Sequence, residues 1–138
     1  MLVCFDMPHV FAAESTPVNN AVALRSMLDL LIKLNTIYLQ DHAALPLYKS
    51  GVVYGRTNVW DTIPALYERR YGDCKSLSAA LIAEYRKQGI LANPVFRFVP
   101  NRRTGVLEFH ILVQTTGGFE DPSKVLGMGS QECVPVRA

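Results

Sequence analysis

The chain has 138 residues, 49% of them hydrophobic and 19% charged, which is enough for one domain with a buried core. The apolar fraction excludes disorder, and nine glycines with eight prolines exclude collagen-like or low-complexity character. Fourteen basic and twelve acidic residues give a net charge of +2; they are dispersed and form no stripe for nucleic acid.

Three cysteines, Cys4, Cys74 and Cys133, cannot all pair within one chain, and none has zinc-ligand spacing. That usage suits a reducing cytosol, where a single thiol can carry chemistry. The start, Met1 to Asp6, lacks the basic region of a secretory leader. The longest apolar stretch, around Leu24 to Leu39, is interrupted by Arg25, Asp29, Lys33 and Asn35 and does not read as a membrane span. A cytoplasmic protein is expected.

In chain order, residues 1–5 read as a short strand. A helix follows from about 16 to 40, with Thr16 as N-cap and Pro17 in the first turn. Its apolar positions are Val18, Val22 or Ala21, Leu24, Met27, Leu28, Leu31, Leu34 and Tyr38, at steps of three and four. Pro46 and Gly51 to Gly55 form a loop or short extended piece. Asp61-Thr62-Ile63-Pro64 starts a second helix reaching Arg70, broken by Gly72. A third runs from about Asp73 to Gln88, with Gly89 at the C′ position.

After Pro94 the period changes to two. Val95–Val99 and Val106–Gln114 read as strands, and Phe119 opens a third that ends near Pro122. Helices first and an antiparallel sheet after them make an α+β domain spanning 1–138, with no linker or repeat.

The informative segment is Tyr71-Gly72-Asp73-Cys74-Lys75-Ser76-Leu77. Asp73 caps the helix, so Cys74 lies in the first turn, where free N–H groups and the dipole favour a thiolate. The Asp73 charge opposes this, so a cationic partner is needed. Cys74, Leu77, Ser78, Leu81 and Tyr85 share one stripe, which turns the cysteine toward the sheet. His110 lies on a strand, sharing a face with Leu112 and not with Phe109, Ile111 and Val113. With a four-residue loop over Gln114–Gly117, His110 stands opposite Asp121, whose carboxylate could orient the imidazole. Cys74, His110 and Asp121 then form nucleophile, acid/base and orienter. The bland reading is a buried hydrophobe, an interior histidine and a turn cap. Their spacing is not that of a structural zinc site, so no metal or cofactor is expected. His9 and His42 read as surface or loop residues, and Cys4 and Cys133 as bystanders.

Trp60-Asp61-Thr62-Ile63-Pro64, the Cys74 segment, Phe109-His110-Ile111-Leu112-Val113 and Glu120-Asp121-Pro122-Ser123 together resemble the core of the transglutaminase-like cysteine peptidase superfamily. The resemblance covers about 48–128 and is closest to short bacterial and phage-encoded members. It implies a papain-like core in which the cysteine helix packs on a sheet bearing histidine and aspartate, with Cys74, His110 and Asp121 as the triad. Related motifs often carry an acidic pair after the cysteine; here Lys75-Ser76 stand there.

By that resemblance the Cys74 thiolate attacks a carboxamide of a polypeptide or peptide substrate. A thioester forms and is resolved by water or by an amine. The backbone N–H of Cys74 and one further donor would hold the oxyanion, with Trp60, Asn58 and Tyr54 as candidates. Trp60 reads first as core packing and only second as an oxyanion donor. The alternative is a non-catalytic phage or prophage assembly protein that keeps the fold and has phage structural proteins as partners. The long first helix lies outside the resemblance and either completes the core or forms a dimer face.

Overall fold

The computed structural model describes residues 17–100, 102, 103, 105 and 107–129. The strand expected at 1–5, the Thr16 cap, His9, Cys4 and Cys133 lie outside them. The elements in order are α1 (Pro17–Asp41), a 3₁₀ turn (Leu47–Lys49), β1 (Val53–Tyr54), α2 (Ile63–Arg69), β2 (Tyr71–Gly72) and α3 (Cys74–Lys87). There follow β3 (Ala92–Pro100), β4 (Leu107–Thr115), β5 (Gly118–Glu120) and α4 (Pro122–Val125). Helices and a three-stranded antiparallel sheet, in the order β3-β4-β5, make this an α+β arrangement. Among the described residues no helix is long and apolar enough to cross a membrane.

α3 lies at the centre. Ten consecutive residues, Cys74 to Ala83, are buried. The single stripe expected from helical periodicity is therefore too narrow, because α1 packs on one side of α3 and the sheet on another. Ser76, Ser78 and three alanines keep the helix slim enough for both neighbours. Gly89, at φ +79°, ends it in the left-handed conformation that a C′ glycine adopts without penalty.

α1 contributes Leu24, Leu28, Leu31, Ile32 and Leu39 to the core. Leu34, expected on the same stripe, is exposed; of the alternatives Val22 and Ala21, Val22 is exposed and Ala21 half-buried, and the fully buried Asn35 takes a core position. Its carbonyl Oδ1 accepts the Ile63 N–H at 2.8 Å. Thr62, the N-cap of α2, makes no side-chain capping bond. An orphan donor at one helix start is thus satisfied from another helix.

Gly72 does not simply break α2. The helix ends at Arg70 in the left-handed region (φ 73°), and Gly72 then pairs in parallel with Tyr54. A Cβ at Gly72 would stand 2.6 Å from Leu66 Cδ1 and 3.3 Å from Ser76 Cβ. Leu66 is itself fully buried and has no room to swing away. Gly72→Ala should therefore lower stability by about 1–3 kcal/mol through overpacking, read as a reduced urea midpoint with an unchanged slope.

Candidate active site

Asp73 caps α3 from an extended conformation, and its side chain accepts the Lys75 N–H at 3.3 Å. That cap places Cys74 as the first helical residue, 8% exposed. Its neighbour across the interface is the strand that carries His110.

β4 pairs with β3 along its whole length, from Ala92↔Thr115 to Pro100↔Leu107, but β5 covers only Val113 to Thr115. Below Val113, among the described residues, no strand covers the second edge of β4, and α3 supplies partners there. Ser78 Oγ donates to the Ile111 carbonyl at 3.2 Å, and an Ile111 backbone hydrogen bond reaches the Cys74 thiol. Ile111 and Val113 point into the core. His110 and Leu112 rise from the opposite face. Cys74 reaches the neighbourhood of His110 at the strand edge, and both line one cavity of about 950 Å³.

The hairpin register also differs from expectation. Thr115 pairs with Gly118 around a two-residue turn, not Val113 with Gly118 around four residues. Continued downward, this register would set His110 opposite residue 123, two places beyond Asp121. The strand ends at Glu120 instead, and Asp121 turns the chain into α4 as its N-cap. From that diagonal position Asp121 Oδ2 still lies 2.8 Å from His110 Nε2. Its other oxygen, Oδ1, accepts the Lys124 N–H at 3.3 Å, which holds the carboxylate in place. A carboxylate can only accept, so Nε2 is the donor in this bond and Nδ1 is left outside it.

The thiol is held protonated at rest. Burial pushes Cys74 up to about 11, and the Asp73 charge adds to the rise; the Ile111 hydrogen bond and Lys75 pull the other way. The helix start does not outweigh desolvation here. Burial likewise raises Asp73 above the usual carboxylate range, against the pull of Lys75.

Lys75 is the main feature that the sequence left unread. It is 4% exposed, and its ammonium binds the Asp73 carboxylate and donates to the Thr57 carbonyl at 2.7 Å. It also lies 5.8 Å from the centre of the Trp60 ring. Ser76 Oγ accepts the Asp61 N–H at 3.0 Å, so two successive residues of α3 pin the loop from Gly55 to Thr62. Of the candidate oxyanion donors on that segment, Tyr54 and Asn58 line the cavity; Trp60 packs against the core and is not among the lining residues. Burial, and then the nearby Cys74, raise the Tyr54 phenol, which keeps it a proton donor; Arg56 opposes the rise.

Glu120 was also missed. It accepts hydrogen bonds from Tyr48 and Tyr85, each at 2.9 Å, which ties the end of β5 to α3 just before Asp121. Those partners are 72 and 35 positions away, beyond any local pattern. His42 is exposed and stacks on Tyr38. Among the described residues no three His, Cys, Asp or Glu side chains converge as metal ligands. Compared with known proteins, the chain matches no family model, no curated protein and no solved structure.

Two outcomes follow from the electrostatics. The folded Cys74 value of about 11 lies above its ordinary 9.0, so the fold favours the protonated thiol. That contribution is complete below about pH 9 and is lost as pH rises to about 11. Urea denaturation should show the parent losing about 2–3 kcal/mol more than Cys74→Ala across that interval. Lys75→Met strands the buried Asp73 charge and should cost about 3–5 kcal/mol, much of it recovered in the Lys75→Met/Asp73→Asn double variant.

Proposed function

We propose that this protein is a thiol-dependent amide hydrolase or acyl transferase, built on a papain-like core of the transglutaminase-like type. The observation that carries the reading is the 2.8 Å bond between His110 Nε2 and Asp121, in a cavity that Cys74 also lines. Nucleophile, base and orienter come from three elements, α3, β4 and the start of α4.

The chemistry starts from the neutral pair. As the sulfur attacks a carboxamide carbon, its proton passes to His110 Nδ1, and Asp121 stabilises the resulting imidazolium. The carbon–nitrogen bond then breaks, and the same proton leaves with the amine. A thioester on Cys74 remains. Water or an acceptor amine attacks it with His110 again as base, and the thiol is restored. The Cys74 N–H belongs to the first turn of α3, whose amides lack intrahelical acceptors, and serves in this reading as one oxyanion donor. Tyr54 or Asn58 supplies the second donor.

The high Cys74 value favours a second reading, a non-catalytic assembly protein such as a phage morphogenesis component, in which the thiol is only a small buried hydrophobe. The two separate on reaction with a peptidyl fluoromethyl ketone, followed by intact mass and peptide mapping. The enzyme takes one adduct, on Cys74 in preference to Cys4 and Cys133. His110→Ala slows that labelling by roughly 10²–10⁴-fold, the usual worth of a positioned acid/base. Equal, slow labelling of all three cysteines, indifferent to His110, would sink the enzymatic reading.

A further inference from the structure

The cavity holds more positive charge than its own acids use. Asp73 is engaged by Lys75, and Asp121 by His110. Arg56, Arg97 and Lys124 remain along the lining, with Glu108 as the third acid. Among the described residues neither Arg97 nor Lys124 forms a salt bridge with a carboxylate.

These two cations are placed around the His–Asp pair. Arg97 on β3 is the direct register partner of His110, so the two side chains rise from the same face of the sheet. The Arg97 guanidinium extends across that face to 5.9 Å from the Phe119 ring, a cation–π contact that steadies it without neutralising it. Lys124 belongs to the short helix that Asp121 caps, and its N–H is bound to Asp121. Arg97 is therefore the strand neighbour of the histidine, Lys124 follows the aspartate three residues on, and both line the same cavity.

His110 is the group that gives its proton to the departing nitrogen, so the amine half of the substrate must lie against it. We infer that the favoured substrate is an acidic peptide whose carboxylate lies on the amine side of the scissile amide, bound between Arg97 and Lys124. This rests on the amide-cleaving reading of Cys74 and His110 and adds substrate class to it. Arg97 can take a carboxylate through two parallel N–H bonds, and Lys124 acts on it as a compact point charge. Arg56, held at Tyr54, also lines the cavity and adds to its positive field.

The test uses the intact protein and a degenerate peptide library, with released amines read by mass spectrometry. Amine release is common to hydrolysis and transfer, so the acceptor does not affect the readout. Cleaved bonds should be enriched for aspartate or glutamate on the amine side. With one cleaved sequence and its neutral Gln or Asn counterpart, the acidic-to-neutral ratio of kcat/KM should fall roughly ten- to hundred-fold in Arg97→Gln and in Lys124→Gln. Arg97→Lys should recover part of it, and added salt should shrink the ratio in the parent. Both positions are exposed, so the substitutions leave the core intact. Cleavage with no acidic preference, or a ratio unmoved by either substitution, overturns the inference while the amide-cleaving reading stands. No cleavage, together with no selective Cys74 labelling by the fluoromethyl ketone, overturns both. No cleavage with selective labelling overturns the acidic-substrate inference alone.

Discussion

The open lower edge of β4 is the constraint on which the site depends. A strand edge leaves backbone donors and acceptors that must find partners when buried. β5 stops after three residues, and the first turns of α3 complete the pairing through Cys74, Ser78 and Ile111. That substitution brings a helix start beside the strand bearing His110. It also frees the chain after Glu120 to turn and present Asp121. A longer β5 would have paired with residues 107–112 and closed the edge to the cysteine.

The same geometry explains the electrostatic balance. Setting α3 deep between α1 and the sheet desolvates Cys74 and Asp73 together, and both are pushed toward their neutral forms. Lys75 offsets the second of these by going inside with Asp73, a placement that its exposed-seeming sequence context does not suggest. Its bond to Thr57, and that of Ser76 to Asp61, then fasten the loop carrying Asn58. One buried ammonium serves the cap, the loop and the floor of the cavity. The thiol, by contrast, stays pushed toward its protonated form.

α1 is legible as a helix, but its role follows from packing. Asn35 would interrupt an apolar stripe in any periodicity count, yet it is fully buried because the start of α2 needs an acceptor there. The helix completes the core against α3. Similar long-range needs account for Glu120, whose two tyrosine partners come from the 3₁₀ turn and from α3. Neither residue has a local signature, since the group that each satisfies lies tens of positions away.

Read alone, the amino-acid order determined the three longer helices and the β3–β4–β5 strands, but not the 3₁₀ turn, β2 or α4. The Asp73 cap, Gly89 and the change of period after Pro94 act within a few residues, and each marks a boundary that the structure keeps to within a few positions. It also singled out Cys74, His110 and Asp121, because a capped helix start and a polar residue in an apolar strand are local anomalies. Tertiary structure alone decided how these meet: the two-residue turn, the diagonal reach of Asp121 and the approach of Cys74 at the edge of β4 instead of its face. Register and edge pairing depend on where a distant helix finds space to pack, and no short window of sequence contains that information.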